Sequence, residues 1–445
     1  MTKDLTQGKI TPLLVKFTIP LLFGNIFQLM YNSVDSIIVG QLVGKEALAA
    51  VGTSNPLMTL AILFVNGMCI GASILMGTQY GAKKMDVLKR QISTTMIAGI
   101  VFSIAVTLFC ILFARPLLLL IRVQEEVLPL AVSYLRIVFL GFIFTFIYNF
   151  FACTLRALGD SKTPLYFLVT SAFLNIFGDL FFVVVLRWGV AGSAIATVCS
   201  EGLCCLLCGI YIKKKIPLLC LGKKWWVFDK SLLGKTVSYG STSAMQQVCL
   251  QLGKLIIQSV VNTQGVAVMA AFTAVNRVDD FAYTPQQNIG HAMTTFLAQN
   301  KGAGHKERMK KGFQTGLLIE LVYSIGLFCV IWGLAPQIMT LFAEDGDAQV
   351  VSLGISYLHL ISWMYILPGL TNGVQGFFRG IGDLKVTLYS TFMNMFGRVV
   401  AGFVMIRLLQ MEFASLAWAN MVGWIVMLLF EVPLLVKSMR NGECG

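Results

Sequence analysis

Twelve long apolar stretches, each parted from the next by a short run of Lys, Arg, Pro or Gly, constrain this chain more than any other feature. Each is long enough to cross a bilayer as a helix, which takes about 20 residues. None alternates apolar and polar positions as a barrel strand does. The reading places spans near residues 12-39, 53-77, 92-114, 127-154, 164-186, 190-212, 232-262, 266-298, 314-342, 351-378, 386-406 and 413-437. A share of 57% hydrophobic and 12% charged residues, against about 25% charged in soluble domains, excludes a soluble enzyme. Many spans exclude a single-pass receptor. The start, MTKDLTQGKITPLLVKF, lacks an early apolar core with a small-residue cleavage site, so the first span is expected to be kept.

The charges set the orientation. An even span count puts both termini on one side, and with that side cytoplasmic, 25 of the 34 basic residues fall there, among them Lys83, Lys84, Lys213, Lys214, Lys215 and Lys310. The opposite face keeps Lys45, Arg115, Arg122, Arg187 and Arg407. That bias predicts a multi-pass protein of the plasma (inner) membrane with cytoplasmic termini. It also explains the net charge of +13 without nucleic acid as a partner. The cysteines sit mostly inside apolar runs and read as small apolar residues. Three His, with no H-E-x-x-H or G-x-S-x-G, offer no catalytic set, so no enzyme and no cofactor are expected.

The two halves repeat. Arg156-Ala-Leu-Gly-Asp160-Ser-Lys162 returns as Arg379-Gly-Ile-Gly-Asp383-Leu-Lys385 at an offset of 223 residues, each copy after the fourth span of its half. Asn175-Ile-Phe-Gly-Asp179 is echoed by Asn394-Met-Phe-Gly-Arg398. Six spans per repeat give both halves one orientation, related by an axis along the membrane normal. The expected fold is an all-α polytopic membrane protein of twelve transmembrane helices in two six-helix lobes, residues 1-222 and 223-445, joined by the basic stretch Lys213 to Lys230.

Charge inside the bilayer is costly, about 2.5–3.5 kcal/mol even on lenient scales, and so marks function. Seven acids lie in spans: Asp35, Asp179, Glu201, Asp279, Asp280, Glu320 and Glu431. Asp35 shares a helical face with Gln28 and Asn32. Asn175 with Asp179, and Thr197 with Glu201, are pairs four residues apart. Such groups can share a proton or coordinate a sodium ion, and competition between that ion and a cationic ligand suffices for antiport. Asp279 and Asp280 stand beside Arg277, where a local charge pair accounts for them; Glu431 is expected to snorkel to the headgroups, and Glu320 has no role at this level. Pro20 interrupts the first span and can act as a conformational hinge.

These residues resemble the multidrug and toxic compound extrusion (MATE) transporters over essentially the whole chain. The carrying motifs are Pro20 with Asp35, Ala49-Ala50-Val51-Gly52, the doubled R-x-x-G-D-x-K and Gln299-Asn300-Lys301-Gly302-Ala303-Gly304. The resemblance implies a monomeric antiporter expelling amphipathic, cationic small molecules by alternating access, coupled to H+ or Na+. It is most similar to the DinF-like branch, whose coupling residues map onto Asp35, Asn175, Asp179 and Thr197, with Gln28 and Asn149 in support. The NorM-like branch instead uses a carboxylate in span ten, where this chain has Asn372 ahead of Gln375. The rival reading is a flippase for lipid-linked oligosaccharides or a peptidoglycan precursor, whose cavity should be basic; here the in-span balance is acidic.

Overall fold

The computed structural model describes residues 4–216, 219, 225–342 and 348–440, and within them the chain is helical with no strand. Twelve long helical segments follow one another. They are α1 Ile10–Leu42, α2 Lys45–Gly81, α3 Met85–Leu120, the pair α4 Leu128–Leu140 and α5 Phe142–Ala157, α6 Lys162–Asp179 and α7 Gly189–Lys215. The second half holds α8 Lys230–Val261, α9 Val266–Gly302, α10 Lys306–Phe342, the pair α11 Ala348–Ser362 and α12 Ile366–Ile381, α13 Leu384–Phe403 and α14 Ser415–Arg440. Every expected span falls on one of these segments. By length and apolar composition alone ten qualify, counting α4 with α5 as one; α8 and α9 fall short. Those two carry Lys254, Arg277, Asp279 and Asp280 and runs of Ser, Thr, Gln and Asn; of the four charged residues only Asp279 is buried.

The repeat extends to backbone irregularities. The fourth segment of each half is broken, at Gly141 by a 46° bend and at Trp363–Tyr365 by a turn of 3-10 helix. The fifth segment of each half ends in a π-helical turn, Leu180–Val185 after α6 and Val404–Leu408 after α13. Such wide turns are rare and cluster at functional sites. The R-x-x-G-D-x-K motif is a helix-to-helix joint. Gly159 at φ +83° and Gly382 at φ +85° take the left-handed conformation that ends a helix. Asp160 N–H then bonds back to Leu155 O at 2.9 Å, and Asp383 N–H to Phe378 O at 2.9 Å. In the first copy Asp160 also accepts from the backbone of Lys162 and Thr163, capping α6.

The chain divides into two compact units, one holding Ile19–Ala244 and the other Leu5–Thr18 with Met245–Gly445. Position 222, where the two lobes were expected to meet, lies outside the described residues; the observed division falls inside α8. The reason is close packing of the start of α8. Gly67 and Gly71 of α2 lie where an added Cβ would come within 2.5 Å of the backbone nitrogens of Ala244 and Gly240. Gln91 Nε2 also donates to Thr236 Oγ1. The second departure is Leu5–Thr18. Gln299 Oε1 accepts from Leu5 N–H at 3.0 Å, and Arg308 donates to the carbonyls of Leu5, Gln7 and Gly8. Leu5 and Leu14 pack with Phe296, Phe313 and Phe377.

Each unit has its own core. In the first, Leu118, Leu135, Phe139, Phe146 and Phe150 close the space between α3, α4 and α5, and Phe146 occupies the place where Gly99 lacks a side chain. In the second, Phe272, Met339, Tyr357, Tyr365 and Leu416 pack α9, α10, α11 and α14. Outward positions such as Leu112, Leu120, Val185 and Leu429 are two-thirds exposed or more and suit a lipid surround.

Candidate functional site

The α6–α7 hairpin builds the site. Trp188 stacks on Phe182 at 5.4 Å in the tight turn between the helices, where Arg187 and Gly189 hold φ near +56° and +58°. Small residues then let the backbones approach. A Cβ on Gly178 would touch that of Ala196 at 3.1 Å, and one on Gly192 would touch the Phe182 carbonyl at 3.1 Å. Polar side chains of α6 thereby face those of α7. Asn175 Nδ2 donates to Thr197 Oγ1 at 3.2 Å. Ser193 Oγ donates to Asp35 Oδ1 of α1 at 3.4 Å.

Asp179, the last residue of α6 before its π turn, is fully buried. Its carboxyl abuts that of Asp35, with the Ser193 hydroxyl beside both. Neither Asp179 oxygen accepts a hydrogen bond from protein. Two carboxylates so placed repel one another in a low-dielectric interior, and a proton or a cation between them would relieve that repulsion. Asn175 Oδ1 is a further buried oxygen without a donor, so at least three unsatisfied oxygens gather where a small cation could lie. Among the described residues no group of three or more His, Cys, Asp or Glu could hold a metal ion. A sodium ion here would rest on carboxyl, amide and hydroxyl oxygens together.

The other expected residues divide. Glu201 accepts from Thr145 Oγ1 at 2.6 Å rather than from Thr197. Asn149 folds its amide onto the Thr145 carbonyl at 2.8 Å, one turn back on α5. Gln28 is exposed on α1, and the Asn32 side chain lies outside the described residues. Pro20 is buried, next to the point where α1 passes from one unit to the other. Sequence reasoning missed Ser193 and Thr145, and with them Tyr31 and Tyr134, whose phenols lie within electrostatic reach of Asp35, Asp179 and Glu201. Ser193 carried a signal: with Thr197 and Glu201 it repeats at four-residue spacing along one face of α7.

In the second unit the expected Asp279–Arg277 pairing is replaced. Asp279 accepts from the hydroxyls of Tyr365 and Tyr357, and Asn420 donates to Tyr357 at 2.8 Å. Asp280 pairs with Lys254 at 3.2 Å, half exposed. Glu431 does not snorkel; it is fully buried beside Ser390 and Gln375, within reach of the Arg379 guanidinium. Gln246 donates to Gln375 at 3.2 Å and to Thr391 at 3.0 Å, so amide and hydroxyl groups border the buried Glu431.

Fold and site together define a polytopic transporter with a buried acidic pair, and the comparisons with known proteins place it. The family model MatE matches twice, over residues 20–181 and 243–404, copies that begin at the same 223-residue offset as the repeated motif. The chain belongs to the MATE family of multidrug efflux transporters. It is 31% identical over 388 residues to "Probable multidrug resistance protein YpnP" of Bacillus subtilis (strain 168), covering 86% of each. To "Probable multidrug resistance protein YoeA" of the same strain it is 30% identical over 406 residues, covering 89% of this chain and 87% of that one. A solved structure of a MATE in the straight conformation superposes with a TM-score of 0.90 at 22% identity, over 99% of this chain and 98% of the other. The protein is a multi-pass membrane transporter, not an enzyme.

Proposed function

We propose that the protein is a secondary active antiporter, exporting amphipathic, cationic organic compounds in exchange for protons or sodium by alternating access. The abutting carboxyls of Asp35 and Asp179 carry this reading. They form a site that is electrostatically complete only with a bound proton or cation, and whose affinity for that ion falls when a cationic compound arrives nearby. Ser193 orients Asp35, while Asn175 and Thr197 supply amide and hydroxyl oxygens for a sodium ion. Glu201, held by Thr145, with Asn149, Gln28 and Asn32, makes up the polar surroundings. The multidrug names of the two Bacillus subtilis relatives support the substrate class.

Pro20 is the hinge in this reading. It lacks the N–H that would bond the Lys16 carbonyl, and the chain changes unit between Thr18 and Ile19. Structures of similar fold have been solved as a MATE in the straight and in the bent conformation, which supports a protein that changes shape. The transporter works as a monomer in the plasma (inner) membrane with both termini cytoplasmic, a placement supported by the basic loops. It needs no cofactor and no nucleic acid.

The test is efflux of a fluorescent organic cation from proteoliposomes under separately imposed proton and sodium gradients. One gradient should drive efflux, and Asp35→Asn at equal protein density should abolish that drive. Efflux indifferent to both gradients, or unchanged in Asp35→Asn, sinks the reading.

A further inference from the structure

Of the buried carboxyls that play no part in the mechanism above, one has no charged partner among the described residues. Glu320, midway along α10, is 1% exposed, and neither of its oxygens has a hydrogen-bond donor. Its surroundings are polar but uncharged. α9 brings Gln286, 0% exposed, α10 itself brings Ser324 and Tyr323, and α12 brings Gly369. The missing side chain of Gly369 leaves a gap these groups share: a Cβ there would lie 2.9 Å from Ser324 Oγ, 3.2 Å from Gln286 Nε2 and 3.5 Å from Glu320 Oε2. The titratable neighbours are Tyr323, whose hydroxyl donates to the Ala282 carbonyl at 3.2 Å, and Asp279 of α9, on the far side of Tyr365. Among the described residues no basic side chain acts on Glu320.

Chemistry fixes which way Gln286 points. Its Nε2 lies 2.8 Å from the Tyr365 carbonyl and 3.1 Å from Ser324 Oγ. A carbonyl oxygen only accepts, so the atom facing it must be the N–H. Gln286 Oε1 is therefore turned away, buried and without a donor. The Ser324 hydroxyl is also spent, donating to the Glu320 carbonyl at 2.8 Å. Both carboxyl oxygens of Glu320 thus stand donorless in a buried gap bordered by the Gln286 N–H edge. Leaving them so, with the carboxylate ionised, is the costliest arrangement available to buried polar atoms.

A single hydrogen repairs it. We propose that Glu320 is a proton-binding site of the second unit, occupied at neutral pH. A metal cation fits worse, because the Gln286 N–H edge borders the gap and repels positive charge. The site is separate from the Asp35–Asp179 pair and gives the second unit a protonation step of its own. Tyr365 joins it to Asp279, its hydroxyl donating to Asp279 and its carbonyl accepting from Gln286.

The test is infrared spectroscopy of the purified full-length protein in lipid at neutral pH, reading the carbonyl stretch of protonated carboxylic acids. Glu320→Gln is expected to remove one such band completely. Glu320→Asp, which keeps the carboxyl but shortens the side chain, is expected to keep a protonated-acid band at a shifted frequency, and it keeps the question answerable if Glu320→Gln does not accumulate. A spectrum unchanged in either variant overturns the proposal. No gradient and no transported compound enters the measurement, so its outcome is independent of the antiport reading.

Discussion

Asp35 and Asp179 come from helices far apart in sequence and act on one another directly, which makes them a single electrostatic object. Changes to such a pair do not add. Asp35→Asn and Asp179→Asn should each abolish gradient-driven efflux, and the double variant should transport no worse than either single one; a further loss in the double variant would mean two separate sites. Glu201 gives a stability prediction. Thr145→Val removes its donor and should cost about 1–3 kcal/mol, the penalty of an unsatisfied buried acceptor, seen as a lower thermal midpoint in detergent, while Thr145→Ser should retain most of it. At this scale the sequence drew notice to each charge in an apolar run, because little else explains a carboxylate in hydrocarbon, but it misjudged the settings of Asp279 and Glu431 and gave Glu320 no role. It was silent on partners. That Thr145 of α5 serves Glu201 of α7 depends on helix packing, which leaves no mark in either segment; Ser193 was marked only by its four-residue spacing with Thr197 and Glu201, a weak signal because a serine costs little anywhere in a helix.

Among the elements, spans and repeat were legible because each follows from apolar run length and from a motif spaced at a fixed interval. The π turns were not. Leu180-Phe-Phe-Val-Val-Val185 is an unbroken apolar run, and nothing in such a run announces a wider hydrogen-bond ring. The doubled R-x-x-G-D-x-K marked the repeat correctly, and the structure shows its glycine and aspartate as a joint between helices. Close crossings give a further prediction. A Cβ on Gly376 of α12 would lie 2.8 Å from the Gly290 carbonyl of α9, backbone against backbone with no flexible side chain to yield. Gly376→Val should force the helices apart and cost at least about 1–3 kcal/mol, read as a lowered unfolding temperature, whereas valine at Gly326, with open space around it, should be tolerated.

For the molecule as a whole, the loop charges give a prediction that transport assays do not test. In intact cells, on a background without native thiols, a membrane-impermeant thiol reagent should label Glu125→Cys and spare Lys84→Cys; the reverse pattern would invert the orientation. The two-fold organisation was legible from the repeat, but not the membership of its parts. Nothing in Leu5–Thr18 says that it belongs with residues almost three hundred positions later, since hydrogen bonds to Gln299 and Arg308 use backbone groups that every sequence has. That membership bears on how the protein is made. The first helical turns to leave the ribosome have no docking place until α9 and α10 have followed, so their attachment is among the last events of assembly. A chain cut at the division inside α8 would separate the second unit from part of its own core, and supplying residues 5–18 as a separate peptide should restore it.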